Sequence, residues 1–378
     1  MIAGFLAGLV FMRGVEDVKV TFDLKSPGLP SDTAVFVTGS LEQLGSWNPG
    51  KIRMDKVGNH EWRKEIRCAS GLNVEYKYTL GSWDREGAHA NGTPLSNLGV
   101  QVRGDTVTQD VIQFWTKPAR KTADPHKNLK GFDYYRGMRG AGLRNRDVIV
   151  WVPPEYRSHS NRRYPVLYMH DGQNVFDPAT SFAGRTWQAD SAAMGLISAK
   201  QIAPAILVGI YNTADRTVEY SPGKKGDAYM RFIVNVLKPF IDKTYRTQSD
   251  RESTFTAGSS MGGLVSFMLV WEHSDVFSGA ICMSPAFLDP DKSAAWNYVS
   301  EFARSTQAKP KVFFYIDDGG VGLDQVLQPG IDKMIAAMKA KGFQEHRDFV
   351  FVKAPAARHS ESDWAKRLPA AMKLVIKG

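Results

Sequence analysis

A chain of 378 residues has room for two domains of ordinary size, and its 43% hydrophobic and 23% charged residues exclude an intrinsically disordered protein. The net charge of +9 is scattered, densest over 117–146, and no nucleic-acid-binding motif accompanies it, so it reads as solvation with a secondary attraction to acidic glycans. Two cysteines, Cys68 and Cys282, one in each expected domain, argue against a disulfide framework, and Cys282 lies in a buried-strand pattern where a small core residue fits.

Residues 1–17 form an apolar amino-terminal segment. Its run Met1 to Met12 falls short of the ~20 residues a membrane span needs. It is similar to the apolar region of a signal peptide but lacks a basic start and a small-residue cleavage site, so it is read as the remnant of a leader. Secretion or a periplasmic location is expected, with the cytoplasm as the alternative. Residues 18–116 then show short alternating runs at 18–22, 34–38, 62–66 and 74–79, separated by turns rich in Gly, Pro, Asn and Ser. That spacing predicts an all-β sandwich, with Trp62 in its core.

Residues 117–135, basic and carrying Pro118 and Pro125, read as a linker. From 136 to 378 strand-like runs alternate with helical ones: strands at 163–169, 205–210, 253–257, 311–316 and 349–353, helices at 229–244, 331–341 and 362–376. Such alternation predicts a mostly parallel α/β sheet. Between the strand at 253–257 and an apolar helical run lies Gly258-Ser259-Ser260-Met261-Gly262. Strand, G-x-S-x-G, helix is the context of a nucleophile elbow, in which glycines two places either side of the serine relieve the clash of a very sharp turn.

A nucleophilic serine needs a base, an acid and two main-chain donors. Ser260 is the expected nucleophile. His359 follows the last strand and is the expected base, whereas His346, in a polar link, reads as a solvated histidine. The acid should follow the strand at 311–316, where Asp317, Asp318 and Asp324 surround the glycines 319, 320 and 322. Asp324 is preferred because it lies beyond the glycine turn, with Asp318 and then Asp317 as alternatives. The amide of Met261 and that of Gln173, in the loop after the strand at 163–169, are the expected oxyanion donors. His170 and Asp171 have no partners at metal-ligand spacing and are read as a hydrogen-bonded turn shaping that loop. Asp171, Arg216, Phe287 and Trp296 are assigned to substrate contact, with helix packing as the alternative for the two aromatics. Trp364 is read as packing. No cofactor and no metal are expected.

These motifs together carry a resemblance. Residues 163–174, Val208 to Asn212 with Arg216, Glu219 and Tyr220, the elbow, and His359 to Trp364 are similar to esterases related to enterochelin esterase and esterase D, including feruloyl and acetyl-xylan esterases of carbohydrate esterase family one. The resemblance implies an α/β-hydrolase fold, Ser260 as nucleophile, His359 as base and an acid shortly after the glycine turn, which supports Asp324. The chain departs from the common pattern at Val321-Gly322 and at Ala356-Ala357-Arg358.

In residues 18–115, Val37 to Ser40, Leu44 to Pro49, Trp62 and Val74 to Tyr78 are similar to starch-binding modules of family twenty. By that resemblance Trp47 and Trp83 would form a sugar-stacking platform, with Lys77 and Asn97 bonding sugar hydroxyls. The alternative is that the tryptophans pack on neighbouring structure.

The function expected is a serine carboxylic-ester hydrolase acting through an acyl-enzyme on acyl, feruloyl or acetyl esters of plant polysaccharide or related small esters. A siderophore ester, transfer of the acyl group to a sugar, and a glycan-binding protein on a vestigial hydrolase scaffold are the alternatives. The partners expected are the ester substrate and a glycan, without nucleic acid or a membrane span.

Overall fold

The computed structural model describes residues 17–30, 32–45, 47–82, 85–90, 92, 94–95, 97–116, 131–181, 184–289 and 296–376. The apolar segment 1–16, most of the expected linker and Trp83 therefore lie outside the described residues. The chain divides into two compact units, Met1–Lys117 and Pro118–Gly378.

The first unit is all-β. Its strands are β1 (Asp17–Lys25), β2 (Phe36–Gly39), β3 (Asp55–Gly58), β4 (Glu61–Ala69), β5 (Asn73–Thr79), β6 (Gly87–Ala88), β7 (Leu98–Gln101), β8 (Thr106–Val111) and β9 (Phe114–Trp115). They form sheets in the order β3-β4-β1-β8 and β2-β5-β7, with β6 and β9 as a separate pair. Every second residue of β1, from Val18 through Val20 and Phe22 to Leu24, is buried, as a period of two demands of a strand with one face on a core. Val35, Val37, Trp62, Val74, Tyr76 and Tyr78 belong to the same core, so Trp62 packs as expected.

The second unit is an eight-stranded sheet. Its strands are β10 (Phe132–Met138), β11 (Arg146–Trp151), β12 (Val166–His170), β13 (Ile206–Ile210), β14 (Thr254–Ser259), β15 (Gly279–Met283), β16 (Phe313–Val321) and β17 (Phe349–Arg358), in the order β10-β11-β13-β12-β14-β15-β16-β17. All neighbours from β13 to β17 pair in parallel, and only β10 and β11 are antiparallel. The parallel strands β12, β13 and β15 are buried at every position, which requires cover on both faces and explains their unbroken apolar runs. The helices are α1 (Ala189–Ser198), α2 (Arg216–Glu219), α3 (Lys224–Phe232), α4 (Lys238–Thr244), α5 (Met261–Glu272), α6 (Tyr298–Arg304), α7 (Leu323–Ala340) and α8 (Glu361–Val375). In α5 every residue from Met261 to Trp271 is buried, so this helix is apolar all round and lies within the protein.

Four boundaries depart from the sequence reading. β10 occupies residues 132–138, so the end of the expected linker is a sheet strand that hydrogen-bonds to β11. β16 continues through Asp317, Asp318, Gly319 and Gly320, where a turn was expected, and β17 continues to Arg358. α7 begins at Leu323 and takes Asp324 into its first turn rather than leaving it on a loop.

Candidate active site

The parallel strands all end at one edge of the sheet, and the expected catalytic groups sit in the segments that leave those ends. Ser260 is the single residue between β14 and α5. Its backbone holds φ 57° and ψ −123°, a conformation that side-chain-bearing residues rarely adopt. Three hydrogen bonds fix it there: its amide donates to Met283 O (2.9 Å), and its carbonyl accepts from Ala286 (3.1 Å) and Leu264 (3.1 Å). A Cβ on Gly258 would lie 2.3 Å from the Gly262 carbonyl carbon, so the turn closes only with glycine there. Met261 opens α5, so its amide has no acceptor within the helix and stands at the positive end of the helix dipole.

His359 follows β17. Its Nδ1 lies 2.6 Å from Oδ1 of Asp324, whose carboxylate is fully buried. A carboxylate only accepts, so Nδ1 carries the proton and Nε2 keeps its lone pair. The imidazole packs edge-on against Trp364, ring centres 4.8 Å apart. Trp364 in turn donates from Nε1 to the Ser284 hydroxyl (3.3 Å), and Ser284 lies between Met283 and Ala286, both of which bond to the Ser260 backbone. One short network therefore ties the base to the elbow, and Trp364 packs as expected.

Gly319 and Gly320 serve close approach, whereas Gly322, with φ 69°, makes the turn into α7. A Cβ on Gly319 would lie 1.9 Å from Asp324 Oδ2, and one on Gly320 would lie 2.1 Å from Pro355 O of β17. Alternation along β16 sends the two other candidate acids to opposite faces. Asp317 takes Arg367 through Nε (2.9 Å) and Nη2 (3.2 Å), and burial outweighs that cation to push its pKa up to about 6. Asp318 takes Lys353 (2.9 Å). Of the three, Asp324 is the one bonded to His359. Arg358 is exposed.

The oxyanion loop follows β12. Gly172 is required because a Cβ there would lie 2.4 Å from the Gly209 carbonyl carbon. Gln173 is pinned at both ends: its side-chain oxygen accepts from the Asn212 amide (3.3 Å) and its carbonyl from the Thr180 hydroxyl (2.7 Å). The loop reaches the start of α5, since a Cβ on Gly262 would be 3.4 Å from Asp171 Oδ2.

Two assignments to substrate contact are corrected. Asp171 is buried and engaged: Arg216 grips it through Nε (2.8 Å) and Nη2 (2.7 Å), and Asn212 adds a third bond (2.6 Å). Burial alone would raise its pKa, but Arg216 holds it below the usual carboxylate range. It shapes the loop instead of meeting a substrate, and Arg216, with 29% of its side chain exposed, is the outer half of that pair. Phe287 is fully buried against Phe267, centroids 5.1 Å apart, and belongs to the core. Trp296 is half-buried and donates from its indole to Ala286 O (3.1 Å), bracing the segment that bonds to Ser260.

Sequence reasoning missed Asn174 and Glu361, whose side chains hydrogen-bond (3.2 Å) and join the oxyanion loop to the first turn of the helix after His359. The two residues are far apart in the chain and no spacing signals the contact.

Behind the elbow, His170 is buried between the Tyr229 hydroxyl (2.8 Å) and the Thr256 hydroxyl (3.2 Å), the hydrogen-bonded role expected of it. Burial drives its pKa down to about 3, with Asp171 opposing and Arg216 and Arg146 reinforcing. The unfolded chain takes up this proton near pH 6.5 and the folded one does not. Stability is therefore complete above pH 6.5 and falls below it, by up to about 1.4 kcal/mol per pH unit. Urea midpoints should drop more between pH 7 and 4.5 in the native sequence than in His170→Asn. Equal drops would contradict this account.

In the first unit Trp47 is half-exposed on a left-handed turn (φ 62°). Lys77 is not available to a sugar: it donates to Glu86, with side-chain exposures of 5% and 1%. Asn97 bonds Glu75 (3.3 Å).

Comparison with known proteins agrees with both units. Residues 142–375 match the family described as putative esterase, and residues 17–108 match the starch binding domain. An amylopullulanase of Thermoanaerobacter thermohydrosulfuricus is 29% identical over 102 residues, 26% of this chain and 7% of that one. An endo-1,4-beta-xylanase/feruloyl esterase of Xylanibacter ruminicola is 27% identical over 223 residues, 58% of this chain and 28% of that one. This chain thus spans less than a third of the length of either relative. The crystal structure of the enterobactin esterase FES from Shigella flexneri, with 2,3-di-hydroxy-N-benzoyl-glycine, has the same fold at 13% identity and TM-score 0.56, covering 96% of this chain and 94% of its own. With the esterase match spanning more than half of its length, the chain belongs to the putative esterase family, an α/β-hydrolase fold that follows an all-β starch-binding-type domain.

Proposed function

We propose that the protein hydrolyses carboxylic esters through Ser260, His359 and Asp324, and that its substrates are feruloyl or acetyl esters of plant polysaccharide. The observation that carries the reading is the 2.6 Å bond from His359 to the buried Asp324, in a network that reaches a strained serine elbow through Trp364 and Ser284. Nε2 of His359 takes the Ser260 proton as Oγ attacks the ester carbonyl. The amides of Met261 and Gln173 hold the oxyanion that forms. The tetrahedral intermediate collapses, the alcohol leaves with the proton from Nε2, and water repeats the sequence to release the acid. Asp324 stays ionised and holds the imidazole in the tautomer that accepts at Nε2.

Support for the substrate class comes from the starch-binding match and from the feruloyl esterase named among the relatives. The second reading, a siderophore ester, has behind it a structural neighbour that is an enterobactin esterase. A panel of feruloyl-arabinose, acetylated xylan and a catecholate-serine ester separates them. The reading predicts the highest kcat/KM on a plant ester, and retention of the full chain on insoluble glucan that Trp47→Ala abolishes. A preference for the catecholate ester, or no turnover of any, would contradict it.

A further inference from the structure

The oxyanion loop and the base leave strands that are not neighbours. Residues 172–174 follow β12 and His359 follows β17, with β14, β15 and β16 between them in the sheet. At about 4.8 Å per strand the two departure points lie roughly 19 Å apart. An oxyanion donor and a base must nonetheless meet the same carbonyl group, and a misplacement of about 1 Å can cost about 100-fold in rate.

A hydrogen bond crosses this span. Asn174, which is buried, donates from Nδ2 to Oε1 of the half-buried Glu361 (3.2 Å). Each partner is braced against the group it serves. Asn174 follows Gln173 in the chain, and its amide donates to Asp171 O (2.8 Å), closing the short turn that carries Gln173. Glu361 opens α8 just after His359 and Ser360. Ser360 donates its amide to Arg358 O (2.9 Å) and accepts from the Trp364 amide (2.9 Å), which stiffens the link between base and helix. The first turn of a helix favours a negative charge, and a carboxylate acceptor makes the stronger kind of hydrogen bond.

An aromatic path runs beside the polar one. The Asn174 carbonyl accepts from the Trp187 amide (2.9 Å), the Trp187 ring packs against Trp364 with centres 5.9 Å apart, and Trp364 packs against His359. Ring contact resists closer approach, and the hydrogen bond resists separation. We infer that Asn174 and Glu361 are positioning residues: their bond fixes the span between the Gln173 amide and the His359 imidazole, so that donor and base face one ester group. They act through Gln173 and His359 and take no chemical step themselves. The bonds of Gln173 to Asn212 and Thr180 serve a different end, holding the loop to the segment after β13 and to its own next turn.

The inference rests on the esterase reading, and its test is separable from it. Aspartate has nearly the shape of asparagine, so N174D keeps the packing and the main-chain bonds of residue 174. It sets two carboxylates against each other, however, and neither can donate. N174D should lose about 10- to 100-fold in kcat on a nitrophenyl ester, with KM within about twofold of wild type. E361Q keeps an acceptor for Asn174 and should stay within about threefold of wild type in kcat. In N174D/E361Q donor and acceptor exchange places, and kcat should return to within about threefold of wild type. Melting temperatures show the folded state in each case. A merely structural contact would move melting temperature and leave the kcat of folded N174D alone. N174D turning over like wild type, or a double variant as impaired as N174D, would overturn the inference. Should N174D not fold, N174A and E361A decide: each should show the same loss, and the two together no more than either, whereas losses that multiply would overturn the inference. If Ser260→Ala is fully active the esterase reading fails first, whatever the outcome at 174 and 361.

Discussion

Ser260→Ala should lower kcat on a nitrophenyl ester by about 10^4- to 10^6-fold, with melting temperature and circular dichroism near those of wild type. The magnitude follows from how triads work: base and acid act only through the serine, so its loss removes the whole covalent route. What survives is the acceleration from main-chain donors and binding, about 10^3- to 10^4-fold over water. The small change in stability follows from the geometry. The strained backbone at 260 is held by bonds to Met283, Ala286 and Leu264 that involve main chain only, and alanine keeps all three. Wild-type turnover by a folded Ser260→Ala protein would remove the nucleophile from the account.

Asp324→Asn should cost about 10^4-fold in kcat and little stability. The carboxylate accepts the Nδ1 proton of His359 across 2.6 Å. An amide turned to donate to Nδ1 would leave the proton on Nε2, where it blocks uptake from Ser260. Asp317→Ala makes the opposite prediction. It strips Arg367, only 9% exposed, of its carboxylate partner, and a broken buried pair costs about 3–5 kcal/mol. Arg367 and Asp317 lie behind Ser284 and Trp364, so the folded fraction should keep kcat within about tenfold of wild type. Kinetics and urea denaturation of the two variants distinguish the roles. A larger fall in kcat for Asp317→Ala than for Asp324→Asn would reverse the assignment of the acid.

Much of this was legible in the sequence because the relevant constraints are local. A glycine two places either side of Ser260 reports a turn too tight for a side chain, and in the structure a Cβ on Gly258 would collide with the Gly262 carbonyl. The alternation in β1 and the continuous apolar runs of β12 and β13 report how many faces each strand buries. The errors arose where one residue type serves two purposes. Gly319 and Gly320 read as a turn, yet they continue a strand, and their missing side chains make room for Asp324 and Pro355. Lys77, in an alternating run, read as a donor for sugar, yet its partner Glu86 lies on the next turn of chain and encloses it. Asp171 and Phe287 sit on loops that face the site, but one is consumed by Arg216 and the other by the aromatic core around Phe267. Contacts such as Asn174 with Glu361 join distant segments, and no local pattern announces them.

The central claim is that a hydroxyl at 260 is activated by the imidazole at 359. Peptide mapping after treatment with a fluorophosphonate tests it most directly. The account predicts a single adduct, on Ser260, formed rapidly by the wild-type protein and at least about 10^3-fold more slowly by His359→Ala. A folded wild-type protein unmodified at Ser260, or one in which loss of His359 leaves the labelling rate unchanged, would contradict it.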